Sequence, residues 1–181
     1  MRRFMMLLLI LGLIAGSLIG CASNDDNQAP PVPNQSEVPE TQSQEVTLYF
    51  ANQNATAVAA EKRNIVLTTD STREELFRSV LEELIKGPES TILYKTIPIE
   101  VKINSVELNG DILSVDFSQE MHINHWGGAT GEAMTINSIV NTLTEFNDVN
   151  KVKMTVEGQP MSIEHSILEE PVGRNEDMIQ K

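Results

Sequence analysis

The chain has 181 residues, enough for one ordinary domain with extensions. Forty per cent of them are apolar but only 4% aromatic, so aliphatic side chains must fill any core. The net charge is −13, and −15 once residues 1–20 are set aside, since these hold two of the 13 basic side chains and no acid. An acidic surface of this kind is repelled by nucleic acid and by anionic headgroups, which excludes nucleic-acid binding.

The first 20 residues read as a signal segment. Arg2 and Arg3 precede an apolar run from Phe4 to Ile14, followed by Ala15, Gly16 and Ser17. The run is short of the roughly 20 residues that a spanning helix needs. Leu18-Ile19-Gly20-Cys21 resembles a bacterial lipobox, which implies cleavage before Cys21 and diacylglycerol on its sulfur. Cys21 is the only cysteine, so a disulfide, a thiolate nucleophile and a cysteine metal site are all excluded from the mature chain. Residues 21–45 then form a tether: four prolines stand among Asn, Gln, Ser, Asp and Glu, with too little apolar surface to offset chain entropy. Residues 46–168 carry the pattern of a folded domain. Residues 169–181, "EEPVGRNEDMIQK", read as a flexible acidic tail.

Within the domain, Val46–Phe50 is β-branched and aromatic and reads as a first strand, with Ile65–Thr69 as a second. Ser71 with Glu74, and Thr72 with Glu75, both have capping-box spacing. Leu76, Phe77, Val80, Leu81, Leu84 and Ile85 then make the stripe of a helix with one buried face, closed by Lys86, Gly87 and Pro88. Residues 99–108 alternate, with Ile99, Val101 and Ile103 on one side. Asn109-Gly110 reads as a two-residue hairpin turn, setting Leu108 opposite Asp111 and Val106 opposite Leu113, and aligning Leu113, Val115 and Phe117 on one face. A loop through Gly127–Gly131 leads to a second helix carrying Met134, Ile136, Ile139, Val140, Leu143 and Phe146. Val152, Met154 and Val156 form the next strand, stopped by Gly158 and Pro160, and Met161 and Ile163 suggest a short edge strand. The order β(β)-α-β-β-α-β predicts an α+β two-layer sandwich, with both helices on one mainly antiparallel or mixed sheet.

The wording of several of these segments resembles the GerMN domain, the sporulation and spore-germination domain of bacterial lipoproteins. The segments are "VLEELIKGPES" (80–90), "TIP" (96–98), "VELNGDILSVDFS" (106–118) and "GGATGEAMTINSIVNTLTEFNDVNKVKMTVEG" (127–158). The resemblance covers roughly residues 46–163. It implies a small α/β module of the kind that builds rings in sporulation secretion complexes, carried by lipoproteins or wall-associated proteins of Gram-positive bacteria. The founding germination protein carries two such domains in tandem, whereas this chain has one. The family supplies no catalytic motif to carry across.

Few side chains suggest chemistry. His122 and His125 have the three-residue spacing of some zinc-binding pairs, but a segment that reads as a solvated loop and lacks a complete ligand set argues against a metal. Trp126, the sole tryptophan, lies beside Gly127 and Gly128. Its ring either caps the core over the second helix, the reading favoured by the usual burial of large aromatics, or stacks on a sugar or a partner's pocket. The acid pairs Glu74/Glu75 and Glu82/Glu83 sit on a helix surface and read as a solvated face. No nucleophile elbow and no phosphate-cradling loop is present, and no cofactor is expected.

The expected protein is therefore a non-enzymatic extracytoplasmic lipoprotein, held to the cell membrane through Cys21. It would present an interaction module to a protein partner or to a second copy in an envelope assembly. The alternative is a cell-wall glycan or peptidoglycan binder acting through Trp126, and an uncharacterised enzyme comes third.

Overall fold

The computed structural model describes residues 40–181. The signal segment, Cys21 and most of the tether lie outside the described residues. Eight strands and three helices follow in chain order, with a closing 3-10 turn at Glu176–Met178. The expected α+β class is what folds, but the strands divide between two sheets rather than joining in one.

The first sheet has the order β2-β1-β3, built from β1 (Thr41–Asn52), β2 (Val58–Thr68) and β3 (Leu93–Tyr94). β1 begins inside the segment expected to be tether, because Thr41 to Glu45 pair antiparallel with Thr68 to Asn64. Hydrogen bonding to a neighbouring strand gives a polar sequence the order that its own side chains do not predict. Four consecutive residues of β1, Leu48 to Ala51, are buried, the mark of a strand covered on both faces. Val46, Leu48 and Phe50 enter the main core, whereas Tyr49 and Ala51 form a second cluster with Val58 and Met134.

The helix α1 (Arg73–Lys86) buries the six apolar residues of its predicted stripe. Of the two possible caps, Thr72 is the one used: its hydroxyl accepts from Glu75 N at 3.2 Å, and the Glu75 carboxylate accepts from Thr72 N at 2.7 Å. Gly87 ends the helix at φ +93°, a conformation that favours glycine. After Pro98 the chain turns, so Ile99 is exposed and the strand β4 starts only at Ile103.

The second sheet follows the order β4-β5-β6-β7, from β4 (Ile103–Asn109), β5 (Ile112–Phe117), β6 (Lys151–Val156) and β7 (Gln159–Pro160), with β8 (Val172–Gly173) also on β6. The β4–β5 turn is Gly110-Asp111, not Asn109-Gly110. Asn109 pairs Ile112, Leu108 pairs Leu113 and Val106 pairs Val115, which corrects the expected register. The reason is local: Gly110, at φ +65°, takes the first central position of the turn, where glycine is favoured, and Leu108 then meets Leu113 instead of Asp111. Leu113, Val115 and Phe117 share the buried face, as expected. β5 and β6 run parallel, joined through α2 (Glu120–Ile123) and the long helix α3 (Ala129–Leu143).

Residues 169–181 are not a frayed tail. β8 pairs with Lys151 and Val152, Met178 and Ile179 pack on the Tyr49 cluster, and Gln180 N donates to Val58 O at 2.8 Å. The segment is polar because its partners are polar: Arg174 donates to Asn141 O at 3.0 Å, and the Asn141 side chain bonds both N and O of Asn175.

Candidate functional site

His122 lies exposed on α2. His125 is half-buried, with both ring nitrogens engaged inside the protein, not a solvated loop residue. Gly127 N donates to Nδ1 at 3.0 Å and Thr135 Oγ1 lies 2.9 Å from Nε2, so the neutral ring carries its proton on Nε2. Burial holds the imidazole below the ordinary histidine value, against the pull of the Glu132 and Glu164 charges. Among the described residues no group of three or more His, Cys, Asp or Glu could hold a metal ion.

Trp126 does not cap the core. It is 51% exposed, with one face stacked on the His125 ring at 4.9 Å between centroids and 22° between planes. Two glycines permit this placement. A Cβ on Gly131 would come within 2.9 Å of the indole Nε1, so only a residue without one lets the ring lie against the first turn of α3. Gly127 has φ +72°, and a Cβ there would strike the Glu164 carboxylate at 2.7 Å, the same carboxylate that accepts from Gly128 N. Glu132, in the first turn of α3, is 3% exposed and ties the backbone of residues 165 and 166 to that helix. Burial disfavours its charge, but hydrogen bonds from His165 N and Ser166 N outweigh that and hold its carboxyl below the usual range.

Trp126 forms one wall of a cleft of about 260 Å³. Tyr94, 57% exposed on β3, and Lys95 also line it; Ala51, Ala55 and Met134 contribute apolar surface. A second cleft of about 200 Å³ shares Asn52 and Gln53 with the first and extends past Ile92 to Gln180. Tyr94 and Lys95 were not singled out by the sequence reading, since "TILYKTIP" looks like a connection; a tyrosine inside such a segment is the signal that could have found them. Two ion-pair networks lie elsewhere among the described residues. Arg63 bonds Glu61 and Glu83, and Arg174 bonds Glu145, Glu176 and the Tyr49 hydroxyl.

A family model described as "Sporulation and spore germination" matches residues 47–162, from within β1 through all three helices to just past β7. The chain belongs to the sporulation and spore germination domain family. This GerMN-type fold is also that of solved structures. A "Putative Lipoprotein from Clostridium perfringens" aligns with a TM-score of 0.51 at 25% identity, over 72% of this chain and 87% of that one. The tandem GerMN domains of the sporulation protein GerM from Bacillus subtilis align with a TM-score of 0.59 at 25% identity, over 74% of this chain and 46% of that one. The chain thus spans about half of the tandem structure. The first GerMN domain of the same protein shares the fold at 19% identity and a TM-score of 0.53, over 72% of this chain and 98% of that one. A search of curated protein sequences returns no match. The matched family and the two Bacillus subtilis structures are sporulation and germination domains, and neither they nor the Clostridium perfringens protein is described as an enzyme. No helix among the described residues is long and apolar enough to cross a membrane.

Proposed function

We propose that this GerMN-domain protein is a non-enzymatic extracytoplasmic lipoprotein that holds its domain at the outer face of the cell membrane, as an interaction module of an envelope assembly. The observation that carries this reading is the sole cysteine, Cys21, at the end of the lipobox-like Leu18-Ile19-Gly20-Cys21. Nineteen residues separate it from the start of β1. A flexible chain of that length spans on the order of 22–26 Å, enough to lift the domain clear of the bilayer. The likeness to the "Putative Lipoprotein from Clostridium perfringens" supports the same placement. Against catalysis stand the ion-pair networks of Arg63 and Arg174 and the committed nitrogens of His125, and neither cleft beside Trp126 is lined by a carboxylate or a histidine.

The test is metabolic labelling with palmitate. Wild-type chain should take up label and sediment with membranes, whereas Cys21→Ser should carry none and persist as a longer precursor or a soluble form. Label retained in the serine variant would overturn the reading. One observation favours the second reading, a wall-polymer binder: the half-exposed ring of Trp126 in the lining of an open cleft.

A further inference from the structure

We infer that the Trp126–Tyr94 cleft binds an N-acetylated glycan strand of the cell wall, with the two aromatic rings as sugar platforms. The inference deepens the second reading above and does not depend on acylation of Cys21.

Trp126 is presented, not merely left uncovered. His125 occupies one indole face and is itself fixed by Gly127 N and Thr135, while Gly131 lets the ring settle on α3. The ring is still 51% exposed and lines the cleft. A large apolar ring held rigidly toward water loses the stabilisation that burial would give it, and a ligand face recovers that. Tyr94 supplies a second exposed ring in the same cleft. Sugar rings present flat C–H faces that lie on such platforms, and their hydroxyl and acetamido groups need planar polar partners. Gln53, Asn54 and Gln180 stand exposed around the two joined clefts and offer amide donors and acceptors for them.

Charge narrows the class further. The chain holds 26 acidic residues, yet none lines either cleft, and Lys95 is present in the larger one. Within an acidic chain the cleft lining is therefore locally free of carboxylates, and its cation suits a strand that also bears carboxylates. A peptide added as a strand is disfavoured, because β3, outermost in its sheet at this point, is only two residues long. Position agrees with a wall ligand. The chain enters the domain at the Thr41 end of β1, and the cleft lies at the Asn52 end, roughly 35–40 Å along the strand.

Trp126 is the only tryptophan of the full chain, so its fluorescence reports the cleft directly. The full-length protein, purified in a detergent without a sugar headgroup, is titrated with three probes: N-acetylglucosamine tetramer, glycan strands released from purified peptidoglycan, and a proline octamer. Saturable change is expected with both glycans. It should be roughly tenfold or more weaker in Tyr94→Ala and unchanged in His122→Ala. Lys95→Gln should weaken the carboxylate-bearing strands more than the neutral tetramer. The inference is overturned if neither glycan saturates, if Tyr94→Ala binds as wild type, or if only the proline octamer saturates. Any of these outcomes would leave the membrane tether standing, since that reading fails only through the palmitate experiment on Cys21.

Discussion

The hydroxyl of Thr142 on α3 accepts a hydrogen bond from the backbone amide of Tyr49 on β1 at 3.0 Å, both groups being buried. One turn earlier, Ser138 donates to the carbonyl of the same Tyr49 at 2.5 Å. β1 pairs with β2 along nearly its whole length, but its other edge meets only the two residues of β3. The small polar side chains of α3 stand in for the missing strand there. Thr135 extends the stripe by donating to Thr96 O at 2.5 Å, and Thr96 bonds Ser138 in turn.

Thr142→Val keeps the shape and removes the acceptor, leaving Tyr49 N without its partner. A loss of about 1–3 kcal/mol is expected in denaturant unfolding. Ser138→Ala should cost a similar amount, and the double variant should depart from additivity because both residues serve one backbone unit. An unchanged midpoint for Thr142→Val would mean that water satisfies this amide.

Deleting residues 171–181 should destabilise the domain, since it exposes the Tyr49–Met134 cluster and strips Asn141 of its partners. A loss on the order of 2–4 kcal/mol is expected from the uncovered apolar surface and broken hydrogen bonds. A midpoint indistinguishable from that of the full chain would return the segment to the status of a loose tail.

Leu81 and Ile139 are fully buried on α1 and α3. Replacing either with alanine should cost roughly 2–5 kcal/mol by leaving a cavity. Chemical denaturation followed by circular dichroism measures this, and a loss below that of Thr142→Val would show that the polar stripe outweighs the apolar faces.

His125 should titrate below the ordinary histidine value of about 6.5, because burial of the ring opposes its protonation. A folded value lower than the unfolded one means that the associated stability is complete above pH ~6.5 and is lost as pH falls through the folded value. The stacked Trp126 makes this visible: its fluorescence should change with a midpoint below ~6.5, and the step should vanish in His125→Gln. A midpoint above ~6.5 would contradict the buried, neutral ring.

Much of the fold was legible because apolar periodicity and local turn chemistry are written in adjacent residues. The six buried positions of α1, the Thr72 cap and the face shared by Leu113, Val115 and Phe117 are of this kind. What escaped was set by partners distant in sequence. Asn141 and Thr142 look misplaced in a helix until Asn175 and Tyr49 stand beside them. The acidic tail reads as loose until Arg174 reaches Glu145 and the Tyr49 hydroxyl. The division into two sheets escaped for the same reason, since hydrophobic pattern names strands but not their neighbours. At the site, Trp126 was visible as a lone aromatic beside glycines, whereas its exposure depends on contacts with His125 and Gly131 that only the folded chain supplies.

The proposed glycan-binding cleft lies at the Asn52 end of β1, the opposite end of the strand from Thr41. Hydrogen–deuterium exchange of the full-length chain, free and bound to purified wall glycan strands, tests this most directly. Slowed exchange should be confined to residues 51–55, 92–96, 124–131 and the segment around Gln180, with the outer strand β2 unchanged over residues 59–68. Protection running along β2 instead, or no protection at all around the cleft, would contradict it.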